Sequence, residues 1–247
     1  MIPIARVMER LNRCYEVNDS AEAKRLLQYW YGEAKASGDD RGRLSLVNEM
    51  MGLFRKMGDG ERAIACADEA QQLIGKEDLG ASVSTAVILV NCGTVYTAFG
   101  RAKEALVIFR RAESMLTESS EKADAERGSL YNNMAAGLAA AGEYEASEEY
   151  YGKALAVMRT IPGSEPELAV TKLNLANLLE AAHGMAEACE RIEECVSEAH
   201  DLLETAGLPR DGHLAFVCEK CAPVFEYYGW FAYAAQLRQR AKEIYGE

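Results

Sequence analysis

The sequence predicts an all-α fold built from repeated pairs of helices. Three observations carry this prediction: an abundance of Leu, Ala, Glu, Lys and Arg, a scarcity of proline, and a segment that recurs every 42 residues. The abundant side chains lose little rotamer freedom in a helix, and only 5 prolines occur in 247 residues, so helix is favoured over sheet. We therefore expect helices joined by short turns along the chain.

The recurring segment is clearest at residues 91–112, NCGTVYTAFGRAKEALVIFRRA. Its marker positions are Gly93, Tyr96, Gly100, Ala105, Phe109 and Ala112. Similar segments follow when the chain is shifted by about 42 residues, and these copies span 49–70, 133–154 and 174–195. Two weaker copies lie near the ends, at 11–30 and 221–241, as expected of terminal repeats that face water on one side.

Each marker has a physical role in a helical hairpin. Small residues such as Gly93 and Ala105 let two backbones approach where the helices cross, and Tyr96 and Phe109 fill the space beside them. Gly100 is predicted to end the first helix in the left-handed conformation, which costs glycine least. The pattern therefore predicts hairpins that stack on one another.

Two later segments carry predictions about helix ends. In RTIPGSEPE, residues 159–167, Ser164 is predicted to cap a helix and Pro166 to lie in its first turn. Pro223 is predicted to kink or break the first helix of the last unit, because proline removes a backbone donor.

The pattern G-x-x-Y-x-x-x-G-x-x-x-x-A-x-x-x-F-x-x-A resembles the tetratricopeptide repeat. Residues 91–112 match every marker, whereas the flanking copies match about half. The usual period is about 34 residues, and the 42-residue spacing resembles the long-repeat subclass of kinesin light chains and bacterial peptide-sensing regulators. The resemblance implies a right-handed superhelical α-solenoid of about six helical hairpins. We expect one domain, 1–247, with units near 2–40, 41–80, 81–122, 123–165, 166–211 and 212–247.

The first helix of each hairpin is expected to line a concave wall, which is the binding surface of repeat proteins. Asparagine takes one repeat position three times, at 91, 133 and 174, whereas the first unit has Glu49 there. An amide both donates and accepts, so a row of amides can bond the backbone of an extended peptide. The resemblance implies the same role, since groove asparagines of long-repeat families are often peptide contacts.

The candidate peptide-binding residues are Asn48, Arg55, Asn91, Thr94, Asn132, Asn133, Asn174 and Asn177. Other side chains expected to face inward include Val87, Val90, Ser129, Val170 and Glu180. The alternative role for the asparagines is structural, with each bonding a neighbouring helix and setting the stacking of repeats. Arg55 has two interpretations as well: it meets a carboxylate of the partner, or it is a solvated cation at a helix C-terminus.

Charge and hydropathy exclude several partners. The chain has 27 Lys and Arg against 39 Asp and Glu, a net charge of −12, and no basic concentration that would bind phosphates. The N-terminal stretch, residues 1–14, is interrupted by charges and is unlike a secretory signal. No segment approaches the roughly 20 apolar residues that cross a bilayer. We therefore expect a cytoplasmic protein with neither nucleic acid nor membrane as partner.

Cysteine and histidine do not form a recognisable reactive site. The seven cysteines are spread through helical patterns and are predicted to be reduced core thiols. Cys218 and Cys221, with His213 nearby, lack the second compact pair that a zinc site needs. Phosphate-binding glycine loops and nucleophile elbows are absent. We expect no metal, no cofactor, no catalytic residue and no enzymatic activity.

Two further functions stay open beside peptide binding. The segment FEYYGWFAYAAQL, residues 225–237, has six aromatics within 225–233, which would either seal the end of the repeats or pair two copies as a homodimer. The chain would otherwise be the sensor half of a peptide-responsive regulator. In that case the DNA-reading helices would lie on another chain, since the repeats begin near residue 4.

Overall fold

The described part of the chain is α-helical and contains no strand. The computed structural model describes residues 1–76, 82–118 and 122–246. Its helices are α1 (Ile4–Glu16), α2 (Ser20–Ser37), α3 (Asp40–Lys56), α4 (Gly60–Lys76), α5 (Val83–Ala98), α6 (Ala102–Glu118), α7 (Asp124–Ala140), α8 (Tyr144–Met158), α9 (Glu165–His183), α10 (Met185–Leu203), α11 (Gly212–Tyr227) and α12 (Phe231–Tyr245). The prediction of an all-α helical-repeat fold is confirmed.

The chain divides into two compact units, Met1–Gly142 and Glu143–Glu247, called here the N-terminal and C-terminal units. In the N-terminal unit each helix packs against the next, and α5 also packs against α3 and α7. In the C-terminal unit α9 packs against α8, α10 and α11, and α11 packs against α12. The single domain and its six repeat units stay predictions, and the predicted boundary between residues 80 and 81 lies outside the described residues.

Helices α5 and α6 approach each other closely, as the small marker residues of the repeat predict. The ring of Phe109 is fully buried, and a Cβ added at Gly93 would lie 2.7 Å from two of its carbon atoms. A Cβ at Gly137 of α7 would lie 3.2 Å from the Cε2 atom of the same ring. Phe109 therefore packs closely against two first helices at once.

The turn glycines adopt the predicted positive φ. Gly100 has φ +79° and Gly142 has φ +81°, each directly after a first helix. Gly184 differs, because α9 ends at His183 and α10 begins at Met185, so one residue joins the two helices. Its φ of +81° with ψ of 156° is a conformation that only glycine adopts without strain.

Ser164 lies at the predicted N-cap position of α9, but its side chain does not cap the helix. Its hydroxyl accepts no helix N–H and instead donates to the carbonyl oxygens of Met158 at 2.6 Å and Ile161 at 2.9 Å. The side chain thus bonds carbonyls left over at the end of α8, where the buried hydroxyl finds its partners. Pro166 does lie in the first turn of α9, as predicted.

Pro223 does not break its helix, because α11 runs unbroken from Gly212 to Tyr227, whereas the kink that was the other predicted outcome stays a prediction. Ala222 and Phe225 on either side of the proline are fully buried among the side chains of α9 to α12. This packing offsets the loss of one backbone hydrogen bond, which costs an isolated helix about 3 kcal/mol.

All seven cysteines are free thiols, and six of them are buried. Burial raises the pKa of Cys66, Cys92 and Cys221 to about 12. The prediction of core thiols is wrong for Cys189, which is exposed on α10 because its position faces away from the neighbouring helices.

We expect Gly93→Ala to destabilise the protein. Overpacking usually costs about 1–3 kcal/mol, and the cost here should lie near the upper end of that range. The added methyl would meet the Phe109 ring, which cannot retreat because it also packs against Gly137. Gly52→Ala is the matched control, since a Cβ there meets nothing within 4 Å and should stabilise α3 by up to about 1 kcal/mol. Urea unfolding of both variants measures the difference, and equal effects would contradict this account.

An ion pair at the beginnings of α9 and α11 makes stability depend on pH. His213 Nε2 lies 2.7 Å from Glu167 Oε1, and this hydrogen bond raises the pKa of His213 and lowers that of Glu167. Because folding raises the pKa of His213, the ion pair stabilises the fold fully below pH 6.5, the ordinary histidine pKa. This stabilisation is lost as pH rises through the folded pKa. Because folding lowers the pKa of Glu167, its contribution to stability is fully present above pH 4.5, the ordinary glutamate pKa. This contribution is lost as pH falls through the folded pKa.

We therefore expect the cost of His213→Asn to be greatest near pH 5.5 and small at pH 8.5. Because both side chains are largely exposed, the cost at pH 5.5 should stay below about 1 kcal/mol. The measurement is urea unfolding of wild type and variant at both pH values. A cost that does not change with pH would show that the ion pair adds no stability.

Candidate functional site

Asn48 and Asn91, both predicted binding residues, are in contact on neighbouring first helices. Asn91 Nδ2 donates to Asn48 Oδ1 at 2.8 Å, and Asn48 Nδ2 donates to Glu49 Oε1 at 3.4 Å. All three side chains are half-buried, and burial raises the pKa of Glu49. This chain of hydrogen bonds joins α5 to α3, which is the arrangement that the structural interpretation of the asparagines predicts.

The bond to Asn48 uses only part of the Asn91 amide. Within the described residues, no buried side-chain nitrogen or oxygen lacks a hydrogen-bond partner. The Oδ1 atom of Asn91 accepts no hydrogen bond there, so it is not fully buried. Asn91 can therefore stabilise the contact of two hairpins and still accept a hydrogen bond from another molecule.

A hollow of about 270 Å³ lies beside Asn91, between α5, α6 and α7. Its lining is Val87, Val90, Asn91, Leu116, Ala125, Glu126 and Ser129. Four of these, at positions 87, 90, 91 and 129, are inward-facing positions of the sequence prediction. Whole-ligand pockets span about 300–1,000 Å³, so this hollow suits one or two side chains of a larger partner.

Two further predicted residues, Thr94 of α5 and Asn133 of α7, bond within their own helices. Thr94 donates its hydroxyl to the carbonyl of Val90 at 2.8 Å. Asn133 Nδ2 donates to the carbonyl of Ser129 at 2.8 Å, and its Oδ1 accepts no bond from the described residues, so it too is not fully buried. Asn132 is half-buried beside it.

Arg55 lies apart from these asparagines, in the last turn of α3. Its side chain is exposed, and no carboxylate of the described residues pairs with it. The adjacent Lys56 donates to Asn18 Oδ1 at 2.7 Å and so is held by the turn before α2. Of these two cations, Arg55 is the one open to a partner.

In the C-terminal unit two predicted inward-facing residues of α9 contact tyrosines that the sequence analysis did not select as site residues. Asn174 is half-buried and Asn177 is exposed on α9, and Asn177 Oδ1 accepts the hydroxyl of Tyr228 at 3.0 Å. Glu180, one turn further along, accepts the hydroxyls of Tyr227 at 2.6 Å and Tyr228 at 3.1 Å. Aligning Gly229 with Gly184 as turn glycines would place both tyrosines beside the end of α9.

The other aromatics of the segment 225–233 fall into two groups. Phe225 and Tyr233 are buried, and Trp230 packs on both with ring centroids 5.9 Å and 6.4 Å away. These rings fill the core of the C-terminal unit. Phe231 is 66% exposed, so it and Tyr227 are the rings of this segment that another molecule can reach.

A second hollow, of about 340 Å³, lies between α8, α9 and α10. Lys172 lines it and is buried, with its Nζ atom 2.9 Å from Glu198 Oε2. Arg159 and Asp201 also reach this hollow, so its two cations face two carboxylates. The buried ammonium of Lys172 is thus neutralised by Glu198 of the same unit, which indicates a structural ion pair.

Two absences hold for the described residues. No group of three or more His, Cys, Asp and Glu side chains there could hold a metal ion. None of the helices described above is both long enough and apolar enough to cross a membrane.

Asn48→Ala and Asn91→Ala should not have additive effects on stability. Because the two amides bond each other, the double variant should lose less than the sum of the singles, with a coupling energy of about 0.5–1.5 kcal/mol. Thermal and urea unfolding of the four proteins measures this energy. Asn133→Ala combined with Asn48→Ala is the control and should be additive, since these two side chains share no bond. Additivity in both pairs would mean that the Asn48–Asn91 bond contributes nothing.

Several solved structures share this fold at low sequence identity. BtubC (BKLC) from P. vanneervenii is 18% identical, with a TM-score of 0.55 over 99% of this chain and 91% of that one. PilW, a type IV pilus biogenesis factor, is 15% identical, with a TM-score of 0.55 and coverages of 97% and 92%. A Rap protein complexed with Competence and Sporulation Factor is 15% identical, with a TM-score of 0.55 and coverages of 95% and 72%.

Sequence comparison identifies the family. Among curated proteins none matches the chain significantly. The family model of the tetratricopeptide repeat matches residues 45–118 and 126–205, which together are more than half of the chain. The markers that carry this match include the close helix crossing at Gly93 and the turn glycines described above. The chain belongs to the tetratricopeptide repeat family.

Proposed function

We propose that this protein is a scaffold that holds an extended segment of a protein partner along the walls formed by its first helices. Membership of the tetratricopeptide repeat family supports a protein-interaction scaffold. The finer proposal is that the bound segment is a peptide in extended conformation, bonded through its backbone by the asparagines. The binding needs no cofactor and involves no catalytic step, and we propose that it takes place in the cytoplasm.

The observation that carries this proposal is the half-buried amide of Asn91, whose Oδ1 accepts no hydrogen bond from the described residues, beside a hollow lined in part by apolar side chains. An extended chain places its backbone N–H groups on alternating sides, and each N–H that leaves water needs a new acceptor. Asn91 supplies such an acceptor, and Val87, Val90 and Leu116 supply apolar surface for the side chain next to it. Asn133 offers a second acceptor of this kind on α7.

The C-terminal unit carries candidate contacts of the same kind on α9. Asn174 and Asn177 are two of the predicted residues, and Asn177 is exposed. Arg55, exposed and without a carboxylate partner in the described chain, suits an acidic side chain or a C-terminus of the partner. The Rap protein, which shares this fold, was solved in complex with Competence and Sporulation Factor, so such a fold is compatible with holding another molecule.

The alternative functions lead to different measurements. A homodimer through the last helices would use the exposed rings of Tyr227 and Phe231, and sedimentation at several concentrations would detect it. The sensor half of a peptide-responsive regulator would bind a peptide in the same way and differ only in having an output chain.

The test begins with selection from a library of random 12-residue peptides displayed on phage. For the tightest peptide, replacing Asn91, Asn133 and Asn174 together by alanine should weaken binding at least about tenfold, or 1.4 kcal/mol. N-methylation of alternate backbone amides of the peptide should weaken binding to wild type similarly, because it removes the donors that the asparagines accept. Fluorescence anisotropy measures each affinity.

Gln28→Ala is the matched control, since Gln28 carries an exposed amide on α2, which is a second helix and so lies outside the proposed wall. It should leave the affinity unchanged. Circular dichroism of the triple variant checks that the helices remain. The proposal fails if no peptide is selected, or if the folded triple variant binds the selected peptide as tightly as wild type.

A further inference from the structure

The end of α9 holds a carboxylate between two tyrosines of α11. Glu180 Oε1 accepts the hydroxyl of Tyr227 at 2.6 Å, and Glu180 Oε2 accepts the hydroxyl of Tyr228 at 3.1 Å. The two rings meet edge to face, with centroids 5.1 Å apart and an angle of 79°. The single hydroxyl proton of Tyr228 is shared with Asn177 Oδ1, which lies 3.0 Å from the hydroxyl oxygen. The position of the carboxylate is thus set by two directed hydrogen bonds.

This carboxylate has no cation partner among the described residues. Some glutamates of the C-terminal unit do have one, such as Glu167 with His213 and Glu198 with Lys172. No lysine, arginine or histidine of the described residues lies within ion-pair distance of Glu180, whose partners are the tyrosine hydroxyls alone. A structural role for Glu180 in joining α9 to α11 would be served equally by a neutral acceptor.

The bonds that Glu180 makes leave half of its capacity unused. A carboxylate offers about four lone-pair sites, and the two tyrosine hydroxyls occupy two of them, one on each oxygen. An arginine guanidinium can donate two parallel N–H groups to the two oxygens of a carboxylate. A lysine ammonium is a compact point charge and does not match two oxygens in this way.

The ring of Tyr227 provides a second attraction for a cation. Its side chain is 64% exposed, so one part of the ring is open to a ligand while the hydroxyl stays on Glu180. A guanidinium stacks on such a ring and is attracted by its negative face. Carboxylate and ring together therefore suit arginine better than any neutral side chain.

We propose that Glu180, Tyr227 and Tyr228 form a site for an arginine side chain of the bound partner. This inference rests on the proposed function, and it specifies the partner as an extended segment that carries a basic residue. Asn177, one turn before Glu180, places a backbone-bonding amide beside the site. The net charge of −12 favours the approach of a basic segment from a distance.

The test uses two synthetic nonapeptides, Ala-Ala-Ser-Ala-Arg-Ala-Ser-Ala-Ala and the same peptide with citrulline in place of arginine, both acetylated and amidated. Citrulline has nearly the shape of arginine and no charge. Protein labelled with ¹⁵N-tyrosine is titrated with each peptide and observed by NMR. The arginine peptide should shift the signals of Tyr227 and Tyr228 and bind about fivefold or more tightly than the citrulline peptide, as cation–π and ionic contributions of this size imply.

Glu180→Gln should abolish the preference for arginine, because glutamine still bonds the tyrosines but carries no charge. Glu187→Gln, the same charge change at an exposed position of α10, should retain the preference. Tyr227→Ser gives an independent variant that keeps the Glu180 charge and loses the exposed ring, and it should reduce the preference. Thermal unfolding of each variant confirms that the fold is present.

Three results would overturn the site: absence of shifts at Tyr227 and Tyr228, equal binding of both peptides, or an equal loss for Glu180→Gln and Glu187→Gln. The last would mean that arginine responds only to total charge. The proposed function is tested separately by the library selection and the asparagine variants. A selected peptide that needs the asparagines but not Glu180 would leave the scaffold proposal standing and reject the arginine site alone.

Discussion

The N-terminal unit depends on one contact, in which the Phe109 ring packs against two glycines, Gly93 and Gly137. The ring fills the space above Gly93 on α5 and lies close to Gly137 on α7, so one side chain sets the separations of two first helices from α6. This spacing also determines where Asn91 lies, because Asn91 is two residues before Gly93 on the same helix. The hollow beside Asn91 is thus a product of the same packing that holds the repeats together.

Most of the fold could be predicted from the sequence because the constraints that produce it are steric and local. A glycine where two helices cross, a ring opposite it and a glycine with positive φ at the turn recur at a constant interval, and each has one simple solution. Ser164 and Pro223 show where local rules end. A serine hydroxyl can bond either a helix N–H or a nearby carbonyl, and the path of the chain after α8 decides between them. A proline is tolerated within a helix when the residues around it are buried.

The helices that carry the candidate asparagines were predictable, but the hydrogen-bond partners of these residues were not. Asparagine recurs at intervals of 42 and 41 residues, yet the partner of Asn91 is Asn48, which is 43 residues away and adjacent to the position that the repeat aligns with it. The spacing of a repeat cannot tell which neighbour an amide will bond, since that depends on rotamers and on small shifts between helices. The structure therefore combines two interpretations that the sequence left as alternatives: the amide nitrogen joins helices, while the oxygen accepts no hydrogen bond from the described residues. Tyr227 and Tyr228 escaped prediction because the last repeat has lost most of its markers.

The distribution of thiols has a practical consequence. Six cysteines are buried between the helices. Cys189 is exposed on α10, a second helix that lies outside the proposed wall. Thiol-directed reagents need both access and a thiolate, and burial denies the six inner groups both. The natural protein thus carries one convenient attachment point for a fluorophore, a spin label or a surface linker. A probe placed there would report on binding without any engineered cysteine and without occupying the region where the partner is expected.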